Sequence, residues 1–138
     1  MFQLDVKSSK SVYEQVIDKI KELVMTGVLA EGEKLPSVRD LSRQLTINPN
    51  TVQKAFKELE RDGYIYTVSG KGTFVSGLET ISFDQSRVDD ALDRLREDFK
   101  ALTFLGIEPD EARKLADEAL DKELNTINNN KGGSHDKR

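Results

Sequence analysis

The chain has 138 residues, a net charge of −4, 33% charged and 36% hydrophobic side chains, and neither cysteine nor tryptophan. A disulfide framework and thiolate metal sites are therefore excluded, and no apolar run approaches the roughly 20 residues of a membrane span. The length suits one compact domain plus an appendage, no signal-peptide pattern opens the chain, and a cytoplasmic location is expected.

Residues 1–10 are short and mixed and are expected to be loosely held. From Ser11 to Met25, Val12, Val16, Ile17, Ile20, Leu23 and Val24 recur at helical spacing. Ser11 with Glu14 three residues on is a capping box, and Gly27 closes the helix. Gly32 and Pro36 punctuate a connector. Ser37 then suits an N-cap, Asp40 favours the positive end of the helix dipole, and Val38, Leu41 and Leu45 form one apolar stripe ending near Leu45. Residues 46–50 make a tight turn into a third helix, with Asn48 as N-cap and Pro49 at the first helical position. That helix carries Val52, Ala55, Phe56 and Leu59 at i, i+3, i+4 and i+7 and stops at Gly63, the expected left-handed cap. Residues 64–68 and 73–75, rich in aromatic and β-branched types, flank Ser69-Gly70-Lys71-Gly72 and predict a hairpin. Beyond a linker at 76–82 the chain is helical to Leu105, is broken at 106–109, and forms a last helix over about 110–124. Residues 125–138, rich in Asn, Gly and Lys without periodicity, are read as a disordered tail.

Helix, short helix, turn, helix, hairpin is the order of a winged helix-turn-helix. The expected fold class is mainly α with a small β-hairpin: a winged helix-turn-helix over 1–77, a two-helix dimerisation region over 78–124, and the tail. The acidity lies outside the first part. Residues 1–78 hold 11 basic and 10 acidic side chains, against 10 and 15 in residues 79–138. A near-neutral domain binds phosphates if its cations share a face.

In a helix-turn-helix the second helix enters the major groove with its N-terminal residues against base edges. Opposite the apolar face of the third helix lie Asn50, Thr51, Gln53, Lys54, Lys57 and Arg61. Asn50 and Gln53 carry the donor and acceptor pair that matches an adenine edge, Thr51 suits a phosphate or a thymine methyl, and Lys54 suits a phosphate or guanine. Glu58, Glu60 and Asp62 gather at the far end of the helix. The competing reading is a winged helix used for protein–protein contact, with the acidic helical pair as its docking surface.

Tyr13-Glu14-Gln15-Val16, the run Gly32 to Ser42, the run Asn48 to Glu60, Asp62-Gly63-Tyr64-Ile65 and Gly70 to Val75 together resemble the N-terminal domain of GntR-type bacterial regulators, continuously over about 11–75. The resemblance implies that Arg39, in the L-P-S-x-R pattern, contacts DNA. It also implies that Ser37 caps the same helix end at a phosphate, and that Gly70, Lys71 and Gly72 approach the minor groove. Asn48 is counted with this DNA-facing set. Pro49 and Gln53 stand where many members with large ligand domains have arginines; Asn-Pro-Asn-Thr-Val-Gln is the form common in the YtrA-like branch. The implied function is a sequence-specific regulator, by the family's usual mode a repressor, acting on a double-stranded DNA operator.

In the second half, Val88, Leu92, Leu95, Phe99 and Leu102 fall at spacings of 4, 3, 4 and 3, a heptad-like seam. The last helix adds Ala112, Leu115, Ala116, Ala119 and Leu120. Two helices cannot bury both stripes alone, so a homodimer with a palindromic operator is expected. So short an appendage leaves little room for a ligand pocket, although a small-molecule effector at the dimer interface stays open. Nothing points to an enzyme: the sole histidine is His135 in the tail, and Gly70-Lys71-Gly72 lacks phosphate-loop spacing. No cofactor, metal or membrane partner is expected.

Overall fold

The computed structural model describes residues 2–136, without the side chains of 130–136. Contact clustering divides the chain near Ser82, so residues up to 82 and residues 83–132 are described separately.

The first unit contains α1 (Val12–Met25), α2 (Val38–Leu45), α3 (Pro49–Arg61), β1 (Ile65–Val68) and β2 (Gly72–Val75). Each helix starts where its cap puts it. The hydroxyl of Ser11 accepts from the Glu14 amide at 3.2 Å, that of Ser37 from Asp40 at 3.0 Å, and Asn48 Oδ1 from Asn50 at 2.8 Å. These acceptors satisfy amides that have no partner inside the helix. Val16, Ile20 and Leu23 of α1 bury against Val52, Ala55 and Leu59 of α3, with Leu41 of α2 and Ile65 and Val75 of the hairpin completing one core. At Leu59, fully buried, truncation to alanine would cost about 2–5 kcal/mol.

The strands pair antiparallel with Ile65 opposite Val75, Tyr66 opposite Phe74, Thr67 opposite Thr73 and Val68 opposite Gly72. The connector after α1 does more than its glycine and proline suggested. Val75 N donates to Glu33 O at 2.9 Å and Leu35 N to Thr73 O at 2.8 Å, so residues 32–35 line the outer side of β2.

Three boundaries differ from the sequence expectation. The N-terminal segment is tied down rather than loose: Gln15 Oε1 accepts from Asp5 N at 2.7 Å, and its Nε2 donates to Asp5 O and Lys10 O. Phe2 and Leu4 pack on the core. The linker is docked as well. A 3-10 turn at Leu78–Thr80 sets Thr80 Oγ1 donating to Gly63 O at 2.8 Å, and Ser82 N donates to Asp62 O at 2.8 Å, which moves the boundary from 77 to 82.

The second unit contains α4 (Gln85–Phe104) and α5 (Pro109–Asp136) as far as residue 132, separated by Gly106 at φ +92°. Helix α5 therefore continues past Leu124 through most of the tail read as disordered; Lys137 and Arg138 lie outside the described residues. Propagating an existing helix needs no apolar stripe, only one more hydrogen bond per residue fixed. Lack of periodicity was thus a poor stop signal. No described helix is long and apolar enough to cross a membrane.

Gly63 joins α3 to the hairpin at φ +86°, and a Cβ there would lie 1.9 Å from Thr80 O. Gly63→Ala is expected to lower the unfolding free energy by at least about 2 kcal/mol, because left-handed strain of roughly 1–2 kcal/mol adds to displacement of the docked turn. Gly70→Ala, with a similar φ of +75° and no described atom within 4 Å of the new Cβ, should cost only the strain. Urea denaturation of the two variants checks the difference.

Candidate nucleic-acid interface

Helix α3 has two chemically opposite faces. Val52, Ala55, Phe56 and Leu59 are buried, whereas Asn50, Gln53, Lys54 and Lys57 are exposed at i, i+3, i+4 and i+7, with Thr51 half-buried beside them. The first turn carries no acid, so nothing opposes the positive end of the helix dipole where Asn50 and Gln53 sit. Asn48 uses its side-chain oxygen as the cap of α3 and is exposed at the start of the helix.

The acids at the other end of α3 are engaged within the fold. Glu58 accepts from Arg61 at 3.1 Å. It also holds the Tyr13 phenol, whose pKa is pushed up by burial first and by this carboxylate second. Asp62, with its side chain 8% exposed, lies 3.8 Å from Lys21 Nζ and 3.6 Å from Arg61 Nε. Glu60 Oε1 accepts from the backbone amide of Thr67 at 2.9 Å. Sequence position alone shows these acids to be away from the N-terminal turn; the structure shows what engages each of them.

Arg39 is the second residue of α2, two positions after the Ser37 cap, and is exposed. Among the described residues, neither Arg39 nor Lys54, Lys57 or Lys71 forms an ion pair. These cations keep their full charge for an external anion. Arg39 forms no salt bridge with the adjacent Asp40 among the described residues.

Gly70, Lys71 and Gly72 make the tip of the hairpin, where Lys71 N donates to Val68 O at 2.9 Å. Gly72, at φ +125°, lies under the flexible end of the Lys34 side chain. A Cβ there would come 2.7 Å from Lys34 Cε and 3.5 Å from its Nζ. Lys34 thus lies across the base of the wing tip and adds a cation to Lys71. The sequence reading missed Lys34 because it took residues 32–36 as a connector; only the backbone pairing of that segment with β2 brings the lysine to the wing.

In the second unit, Val88, Leu92 and Leu95 are exposed and Phe99 and Leu102 half-buried along α4, while Leu115 and Ala119 are exposed on α5. No residue of α4 is buried. Among the described residues no cluster of His, Cys, Asp or Glu could hold a metal.

Residues 12–75 match the model of the bacterial regulatory proteins of the gntR family. The HTH-type transcriptional repressor YtrA of Bacillus subtilis is 53% identical over 76 residues, covering 55% of this chain and 58% of the relative, so the chain spans little more than half of that protein's length. A crystal structure of a transcriptional antiterminator from Listeria monocytogenes superposes with a TM-score of 0.74 at 43% identity, over 86% of this chain and 89% of the other. YtrA from Sulfolobus acidocaldarius, a GntR-family transcription factor, superposes with a TM-score of 0.58 at 30% identity, over 70% and 97%. With its winged helix-turn-helix, its two-stranded wing and these relatives, the chain belongs to the GntR family of bacterial regulatory proteins, a family of DNA-binding transcriptional regulators and not of enzymes.

Proposed function

We propose that the protein is a cytoplasmic transcriptional repressor that binds a palindromic DNA operator as a homodimer. Helix α3 reads the major groove, Arg39 adds a base or phosphate contact, and Lys71 at the wing tip approaches the minor groove. The observation that carries this reading is the exposed stripe Asn50, Gln53, Lys54 and Lys57, placed opposite a fully buried face and free of ion pairs among the described residues. A helix of about 10–12 Å diameter fits a major groove about 12 Å wide, and amide side chains at its N-terminal turn can distinguish bases in a way that lysines alone cannot. Repression as the mode follows the similarity to Bacillus subtilis YtrA, a transcriptional repressor.

Dimerisation rests on α4. Its apolar seam repeats at 4, 3, 4 and 3, and Leu92 and Leu95 keep 46% and 51% of their surface in solvent. A second copy of the same helix supplies the facing seam without a different partner, and a two-fold axis pairs two recognition helices with two half-sites. Among the described residues of the first unit, the apolar pocket under Phe2, Leu35 and Phe56 has a volume of about 60 Å³, far below the roughly 300–1,000 Å³ of typical small-molecule sites. Any effector would act at the dimer seam.

Selection from a random-sequence duplex pool with the purified full chain tests the proposal: an inverted repeat should be enriched, and failure to enrich any duplex at low salt would overturn it. On the enriched duplex, Arg39→Ala is expected to weaken binding ten-fold or more, the scale of about 1–3 kcal/mol for one lost bidentate base contact. Fluorescence anisotropy at fixed salt measures it. Leu95→Glu should convert the sedimenting dimer to monomer and weaken operator binding by about 100-fold as the linked second half-site is lost, with the winged unit's thermal transition retained.

A further inference from the structure

The acids at the end of α3 have one member whose role the DNA contacts leave unexplained. Glu60 is exposed, on the helix that must approach a polyanion, where a carboxylate would repel phosphate. Its Oε1 nevertheless accepts a 2.9 Å hydrogen bond from the Thr67 amide, in the middle of β1.

That amide is available for a structural reason. Opposed residues in an antiparallel pair alternate between those that exchange hydrogen bonds and those whose backbone groups point away. Thr73 O is turned outward from β2, where it accepts from Leu35 N at 2.8 Å. The Thr67–Thr73 pair is therefore of the non-bonded kind, and Thr67 N faces the open edge of β1. Unbonded, it would be a bare donor on an edge strand. Glu60 fills that position from the neighbouring helix, seven residues earlier in the chain.

We propose that Glu60 is a positioning residue for the wing, its carboxylate clasping β1 to α3 so that the wing-tip lysine and the recognition helix keep a fixed spacing. Between Gly63 and the wing tip the described structure offers few other ties on this edge: β2 has residues 32–35 along its outer side, while β1 has this side chain. The negative charge next to DNA is tolerated because it orients the wing. The inference rests on the DNA-binding reading, but the clasp itself is a property of the free protein.

The test separates charge from hydrogen bonding with two variants. Glu60→Gln removes the charge and keeps an acceptor at the same reach; Glu60→Met removes both at similar size. On the duplex selected by the wild-type chain, Glu60→Gln should bind at least as tightly as wild type, whereas Glu60→Met should bind about five-fold more weakly, the size of one solvated hydrogen bond. Adding Lys71→Ala to Glu60→Met should cost less than Lys71→Ala costs in wild type, since a loosened wing has already lost part of that contact. In the free protein, hydrogen exchange of the Thr67 amide should be faster in Glu60→Met and near wild type in Glu60→Gln. If both variants bind more tightly, Glu60 is only a repulsive charge; if Thr67 exchange is unchanged in Glu60→Met, there is no clasp. Either result overturns the proposal. If wild type selects no duplex, the function fails while the exchange measurement still decides the clasp.

Discussion

One helix, α3, has to satisfy two solvents at once, and the first unit is organised around that demand. Burial of Val52, Ala55, Phe56 and Leu59 holds the helix in the domain. The helical period then turns Asn50, Gln53, Lys54 and Lys57 outward without further design, since residues i, i+3, i+4 and i+7 share a face. Packing of α1 against α3 is the most extensive contact between helices, with fully buried Val16, Val52 and Leu59. Loss of that apolar contact would remove the rigid support from which the polar face projects. A recognition surface works only if its side chains are held in register with one another before they meet their target.

Electrostatics follows from this division. A chain of net charge −4 is an improbable partner for DNA when judged by its total, but charge acts locally, and screening leaves little influence beyond about 8–10 Å in physiological salt. The acids of α3 are gathered at its C-terminal end. Arg61 and Tyr13 take up Glu58, Lys21 and Arg61 flank the buried Asp62, and the Thr67 amide engages Glu60. Arg39, Lys54, Lys57 and Lys71 form no such pairs among the described residues. The same network that engages the acids also ties α1, α3 and β1 together, so the charges unhelpful to DNA binding serve the scaffold.

The second unit has the opposite character. Helix α4 has 20 residues and no buried one, and its apolar side chains stand half in water. Exposed Phe104 and Leu105, at 80% and 77%, extend the apolar surface to the end of the helix. Such a helix leaves its apolar surface uncovered by its own chain, and the proposed dimer seam is where that surface would be buried. Folding of the appendage and assembly of the proposed dimer are, on this view, one process, in which protomer concentration enters the stability.

The order of elements, every helix start in the first unit, the hairpin and the two faces of α3 were legible in the sequence. All depend on short-range physics: caps at Ser11, Ser37 and Asn48, a proline at N1, a glycine after α3 and apolar repeats at helical spacing. The resemblance to GntR-type regulators rested on the same local motifs. Tertiary structure alone decided what joins distant segments. It brought Lys34 against Gly72, docked Thr80 on Gly63, bound Asp5 to Gln15, and set Glu60 against Thr67. These pairings depend on which way a strand turns its amides and where a connector lies, and no residue announces either, because both are fixed only when the sheet register and the helix packing are satisfied together.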